Sequence, residues 1–155
     1  MAAAQSEVKT YPGELLMVAI TPHAPIMVPE VGRGEDRKVA QSQQALLRLG
    51  QEVQEAAPDT LIFITPHAPI FRDGIAILGT STLQGNFGQF NARQVAFDYA
   101  NDLELAQSLV EEAEAAGIPT VLLNKRVAAE YGVSTQLDHG VMVPLYFLVK
   151  NWSSS

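Results

Sequence analysis

Apolar residues fall along the chain in two rhythms. Glu14 to Ile20 (ELLMVAI) and Thr60 to Ile64 (TLIFI) are short apolar runs bounded by Pro, Gly and Asp, the pattern of strands buried on both faces of an α/β sheet. Between them, from Glu35 to Ala57, Val39, Leu46, Leu47, Leu49 and Val53 recur on one broad stripe among Glu, Gln, Lys and Arg, and Pro58 follows. That spacing predicts a helix, and the three segments together predict a β-α-β unit with two parallel strands and a right-handed crossover. Gly74 to Leu78 predicts another strand, Gly79 to Ala92 a polar, Gly-rich connection, and Gln94 to Phe97 a shorter strand. Asn101 or Asp102 is placed to cap a helix running to Ala116, with Leu103, Ala106, Leu109, Val110 and Ala113 inward and Gly117 as its stop. Thr120 to Leu123 reads as a strand. After a loop from Asn124 to Asp138, the apolar stretch Val141 to Val149 predicts a short helix with Pro144 in its first turn.

This order of elements describes an α/β fold, a sheet with helices packed on it, and sites in such folds gather outside the carboxyl ends of the strands. The chain has 155 residues, enough for one domain with a core. The domain is expected over 14–150, between an N-terminal extension at 1–13 and a polar tail at 151–155. No apolar run is long enough to span a membrane, and Met1 to Thr10 lacks the basic start and apolar stretch of a secretory signal, so a cytoplasmic location is expected. Ten basic residues against seventeen acidic give a net charge of −7. With no Lys/Arg cluster interleaved with aromatics, that balance argues against nucleic acid or an anionic membrane as partner and for a small ligand or another protein. The absence of cysteine excludes disulfides, thiol nucleophiles and thiolate metal sites, leaving His, Asp, Glu, backbone and water as metal ligands.

The three histidines are therefore the first candidates. Thr-Pro-His-Ala-Pro-Ile occurs twice, at Thr21 to Ile26 and Thr65 to Ile70, each time directly after an apolar run. Prolines on both sides of His23 and His67 keep the chain out of helix, so each imidazole is expected on a stiff turn. If the preceding strands are neighbours, both rings face one ion, with nitrogens about 3 to 4 Å apart; neutral imidazole suits Fe, Zn, Cu or Ni. The competing reading is an internal duplication whose prolines only shape turns. The third histidine stands in Leu137-Asp138-His139-Gly140, where Gly140 permits close approach and Asp138 or a backbone carbonyl is placed to fix the His139 tautomer. Spacing alone favours a helix-capping or buried polar residue. Val31 to Glu35 (VGRGE) lacks the spacing of a phosphate-binding loop and reads as a turn. Gly85 to Phe90 (GNFGQF) reads as a surface loop anchored by two phenylalanines, with a lid making aromatic contacts as the alternative. No G-x-S-x-G elbow is present.

Taken in order, PHAPIMVPEVGRGE, PDTLIFITPHAP, GNFGQF and LDHGVMVPLYF resemble the class III extradiol ring-cleavage dioxygenase (LigB-like) domain from about Leu15 to Leu148. The likeness is nearest to the branch in AmmeMemoRadiSam system proteins, with Memo more distant. The resemblance implies a three-layer α/β/α fold with a mainly parallel or mixed sheet. It implies non-haem Fe(II) on His23 and His67, with Zn or another divalent metal as the alternative, and His139 as the acid/base. The substrates implied are a catechol-type aromatic diol and O₂. The family's third ligand is a glutamate well past the HGxxVPL motif, and family domains are nearly twice as long. None of Glu30, Asp73 and Asp138 matches that glutamate. The chain is thus expected to be the N-terminal half of a longer domain or a short relative that has lost the chemistry. A sheet cut at that point is expected to expose an apolar edge or face, to be covered by a second copy or a second chain. The alternative function is a non-catalytic, Memo-like metal-binding or protein-interaction domain.

Overall fold

The computed structural model describes residues 13–150. The fold is α/β, built from a parallel and an antiparallel strand pair with helices around them. After the first histidine turn, the four-residue helix α1 (Pro29–Gly32) ends at Arg33, which is left-handed, and Gly34 has φ 100°. The VGRGE stretch is therefore a turn, as its composition predicts. A 3-10 segment at Glu35–Val39 leads into α2 (Ala40–Ala56), which stops at left-handed Ala57 before Pro58. Strand β1 (Ile75–Leu78) is followed by β2 (Thr82–Phe87) and β3 (Ala92–Ala100). Helix α3 (Leu103–Ala115) is capped by Asp102, whose carboxylate accepts from Leu105 N. Strand β4 (Thr120–Leu123), α4 (Lys125–Tyr131) and α5 (His139–Leu148) complete the chain. Among the described residues no helix is long and apolar enough to cross a membrane.

Several expectations are corrected. Glu14 to Ile20 and Thr60 to Ile64 form neither strand nor helix, so the parallel pair and crossover predicted between them are absent. The parallel pair is instead β1 with β4, in register from Ile75 opposite Thr120 to Leu78 opposite Leu123. An apolar run records a need for burial, but a strand also needs a neighbour's backbone, and none of the described residues supplies one to these runs. Most of their side chains lie open, Leu15, Val18, Ile20, Ile62 and Ile64 all being exposed, while Phe63 is half-buried against the core. The polar connection Gly79 to Ala92 contains β2, which pairs antiparallel with β3, a strand more than twice the length predicted. Polar residues there occupy the solvent side of a hairpin whose other side buries Gly85 and Phe87. Part of the loop after Asn124 is α4, because Asn124 accepts from Val127 N as a helix cap. Pro144 lies in the second turn of α5, not the first, so the Gly140 carbonyl lacks its usual N–H partner four residues on.

The core is organised around α5. Val141, Met142, Val143, Pro144, Leu145, Phe147 and Leu148 are all buried, and a helix apolar on every side must be enclosed by other elements. Helix α2 closes one side. A Cβ on Gly50 would lie 3.0 Å from the Leu148 carbonyl oxygen, so the missing side chain lets the helices meet backbone to backbone. The hairpin closes another side through Phe87 and Phe97, and Leu137 N donates to the Gln84 carbonyl (2.8 Å) just before α5 begins. The 3-10 turn at Pro25–Met27 adds Met27 and Val28. On the partly exposed side of α5, the Tyr146 hydroxyl donates to Glu30 at 3.1 Å from Oε2. Burial first, then the Glu30 charge and hydrogen bond, push the Tyr146 pKa up to about 12.

Truncating Phe87, fully buried, to alanine is expected to cost about 3–5 kcal/mol, measured by urea unfolding of Phe87→Ala. Tyr146 gives a second expectation. Its folded pKa lies above the unfolded value of about 10, so its contribution to stability is complete below about pH 10 and is lost as pH rises through about 12. Ultraviolet titration of the tyrosinates is expected to show a last component near 12 that disappears in Tyr146→Phe.

Candidate functional site

The two hexapeptide turns and the start of α5 bring all three histidines together. His23 Nε2 and His67 Nε2 lie 3.1 Å apart, with ring centroids 5.0 Å apart. His139 lies over His67 at 4.1 Å and is 6.0 Å from His23, centroid to centroid. His23 and His139 are half-buried and His67 is exposed. The convergence predicted from the repeated motif is present although the strands invoked to cause it are not. A different device holds the second turn, and it begins at Asp138.

Asp138 is the N-cap of α5, its Oδ1 accepting from Gly140 N at 2.6 Å. The same oxygen accepts from the Thr65 hydroxyl at 2.8 Å, and Thr65 Oγ1 in turn accepts from His67 N at 3.2 Å. The His67 turn is thus tied to the helix that begins with His139. Gly140 is required for space. A Cβ there would run into Thr65 Oγ1 and lie 2.8 Å from Asp138 Oδ1. This corrects one expectation: Asp138 makes no hydrogen bond to the His139 ring among the described residues, so its carboxylate shapes the helix start rather than selecting the tautomer. Phe90 sets its ring edge-on to His139 at 5.9 Å, and its neighbour Phe87 anchors the segment in the core.

His23 and His67 fit a shared ion. Two nitrogens bonded to one ion at right angles, each about 2.1 Å away, stand about 3 Å apart, as these do. Among the described residues no group of three His, Cys, Asp or Glu side chains is placed to hold a metal. Of the carboxylates next to the histidine motifs in sequence, Glu30 receives the Tyr146 hydroxyl and Asp138 accepts from Gly140 N and the Thr65 hydroxyl. Beside the histidines an open cleft of about 510 Å³ is lined by His67, Asn86, Gln89, Gln136, Leu137 and Met142, among others. Its lining mixes the polar side chains of His67, Asn86, Gln89, Ser134, Gln136 and Asp138 with apolar ones such as Leu137 and Met142, which suits a small ligand with several polar substituents. Asn86 and Gln89 belong to the GNFGQF segment, whereas Gln136, a single amide in a loop, carries no spacing signal. The Thr65 to Asp138 bond joins residues 73 apart in sequence.

Residues 17–154 match the family model described as the catalytic LigB subunit of aromatic ring-opening dioxygenase. The chain belongs to the LigB family. A curated relative, Protein CA_C1420 of Clostridium acetobutylicum, is 37% identical over 131 residues, which is 84% of this chain and 28% of that protein. The chain thus spans little more than a quarter of the length of the curated relative it matches. Both histidine turns and the start of α5 lie inside the LigB match.

Electrostatics favour a neutral His139. Burial lowers its pKa first; a positive His67 lowers it further, Asp138 opposes this, and His23 adds a smaller lowering. With the folded pKa below the unfolded value of about 6.5, the folded state resists protonation. Stability from this group is complete above about pH 6.5 and is lost as pH falls through the folded pKa. The urea midpoint is expected to fall on acidification below about pH 6.5, with a shallower fall in His139→Gln, measured across a pH series.

Proposed function

We propose that this chain carries the two-histidine half of a non-haem Fe(II) centre that opens catechol-type aromatic rings with O₂. The carrying observation is the 3.1 Å approach of His23 Nε2 to His67 Nε2 beneath His139, within a chain of the LigB family. His23 and His67 would hold the ion. When bound, Fe(II) supplies the redox chemistry by which O₂ reacts with an aromatic diol. In the overall reaction both oxygen atoms enter the product. One ring C–C bond beside the diol breaks, leaving a carboxylic acid on one side and an aldehyde or ketone on the other, with no further reductant.

The chain's own residues prepare that reaction. His139, kept neutral by burial and by its histidine neighbours, offers a ring nitrogen that takes the proton of a substrate hydroxyl and later returns one. Phe90 packs edge-on to that ring and limits its motion. In the cleft, Leu137 and Met142 would lie against the substrate ring, with Asn86, Gln89 and Gln136 offering hydrogen bonds to its substituents.

A second reading is favoured by one observation, that no third protein ligand joins His23 and His67 among the described residues. On this reading the chain is a metal-binding domain without turnover. Iron content and O₂ uptake, measured on the same anaerobically Fe(II)-loaded samples with a panel of catechols, separate the two. For the dioxygenase, His23→Ala and His67→Ala are expected to lose iron by tenfold or more, whereas His139→Ala keeps iron and loses turnover by about 10²-fold or more. Bound iron without O₂ uptake in the unaltered protein supports the binding domain. Loss of iron in His139→Ala equal to that in the other two would make His139 a ligand and the site a three-histidine centre.

A further inference from the structure

The two hexapeptides have the same sequence and different anchorage. In the second, Thr65 donates to Asp138 and receives the His67 amide. In the first, Thr21 occupies the equivalent position and makes no side-chain hydrogen bond among the described residues. Thr65 is not among the cleft's lining residues and Asp138 is, and the bond between them connects the His67 turn to the His139 helix.

We propose that Thr65 and Asp138 are a positioning pair that sets the His67 ring against His139. The inference rests on the metal-centre reading for its purpose, though the contact itself is independent of any ion. The Asp138 carboxylate is fixed by its role as helix cap, with one oxygen held at 2.6 Å from Gly140 N. That fixed oxygen is a charged acceptor for the Thr65 hydroxyl, and hydrogen bonds to charged acceptors are stronger than neutral ones. The hydroxyl's oxygen then faces the His67 amide, which fixes the backbone from which the imidazole projects. Gly140 is the third part of the device, because any Cβ there would occupy the space of the Thr65 hydroxyl. Partners of this kind orient a ligand without touching the ion, and their loss costs about 10- to 100-fold in metal affinity.

The test uses the full chain with labelled histidines. There are three, so single substitutions assign every ring signal. The first readout, without metal, is the nuclear Overhauser effect between the His67 and His139 ring protons. The second is Co(II) affinity and the visible spectrum of the Co(II)-loaded protein. Thr65→Val is expected to lose the ring-to-ring effect and to weaken Co(II) binding about tenfold or more. Thr65→Ser is expected to restore both, and Thr21→Val to leave the His67–His139 effect as it is. Asp138→Ser keeps a helix cap but is too short to reach Thr65, and is expected to behave like Thr65→Val even if that variant folds poorly. An unchanged ring-to-ring effect in both Thr65→Val and Asp138→Ser overturns the positioning pair. Failure of the unaltered protein to take up Co(II) would count against the metal centre instead, and the metal-free readout would still decide the pair.

Discussion

One carboxylate oxygen joins the two things this fold must do. Asp138 Oδ1 satisfies the first turn of α5 through Gly140 N and also receives the hydroxyl of Thr65. Helix α5 is the element around which the core is packed, with seven buried residues in ten, so its start is among the least movable points of the molecule. Anything bonded to that start inherits its rigidity. The second histidine turn, which has no sheet beneath it, takes its position from this joint.

The same arrangement sets the chemical character of the site. Three imidazoles within 6.0 Å of one another, centroid to centroid, cannot all carry charge without repulsion, and half-burial makes charging His139 costlier still. Neutral rings present lone pairs, which is what a cation or a substrate proton requires. The Asp138 carboxylate opposes this by favouring imidazolium at His139, but burial and the two neighbouring rings outweigh it. The site thus gathers three imidazoles beside the Asp138 carboxylate.

The apolar runs that lead into the two turns follow another logic. Leu15, Val18, Ile20, Ile62 and Ile64 remain open to solvent, while the hairpin, α2 and the Pro25–Met27 turn enclose α5. Core and histidine cluster thus share one set of contacts, to which the segment before the second turn adds only the half-buried Phe63. Site geometry here depends on how a helix begins, with the nearest paired strand at β1 beyond the second turn.

Local physics alone determined much of this in the sequence. The stripe from Val39 to Val53 specifies α2, Asp102 and Gly117 bracket α3, and the run Thr120–Leu123 matches β4 residue for residue. The doubled Pro-His-Ala-Pro turn and the Asp-His-Gly start of α5 also marked the three histidines, because proline and glycine restrict or free the backbone whatever surrounds them. Tertiary structure decided the rest. A run such as ELLMVAI carries the signal of burial without naming a partner, so whether it pairs depends on backbone from elsewhere, and among the described residues it does not. The polar connection became β2 because its hydrophobic face, Gly85 and Phe87, meets α5. The approach of His23 to His67 was expected from strand pairing and is achieved beside a hydrogen bond between Thr65 and Asp138. Contacts between residues so distant in the chain leave no periodicity in it, and only the folded packing of α5 brings them within reach.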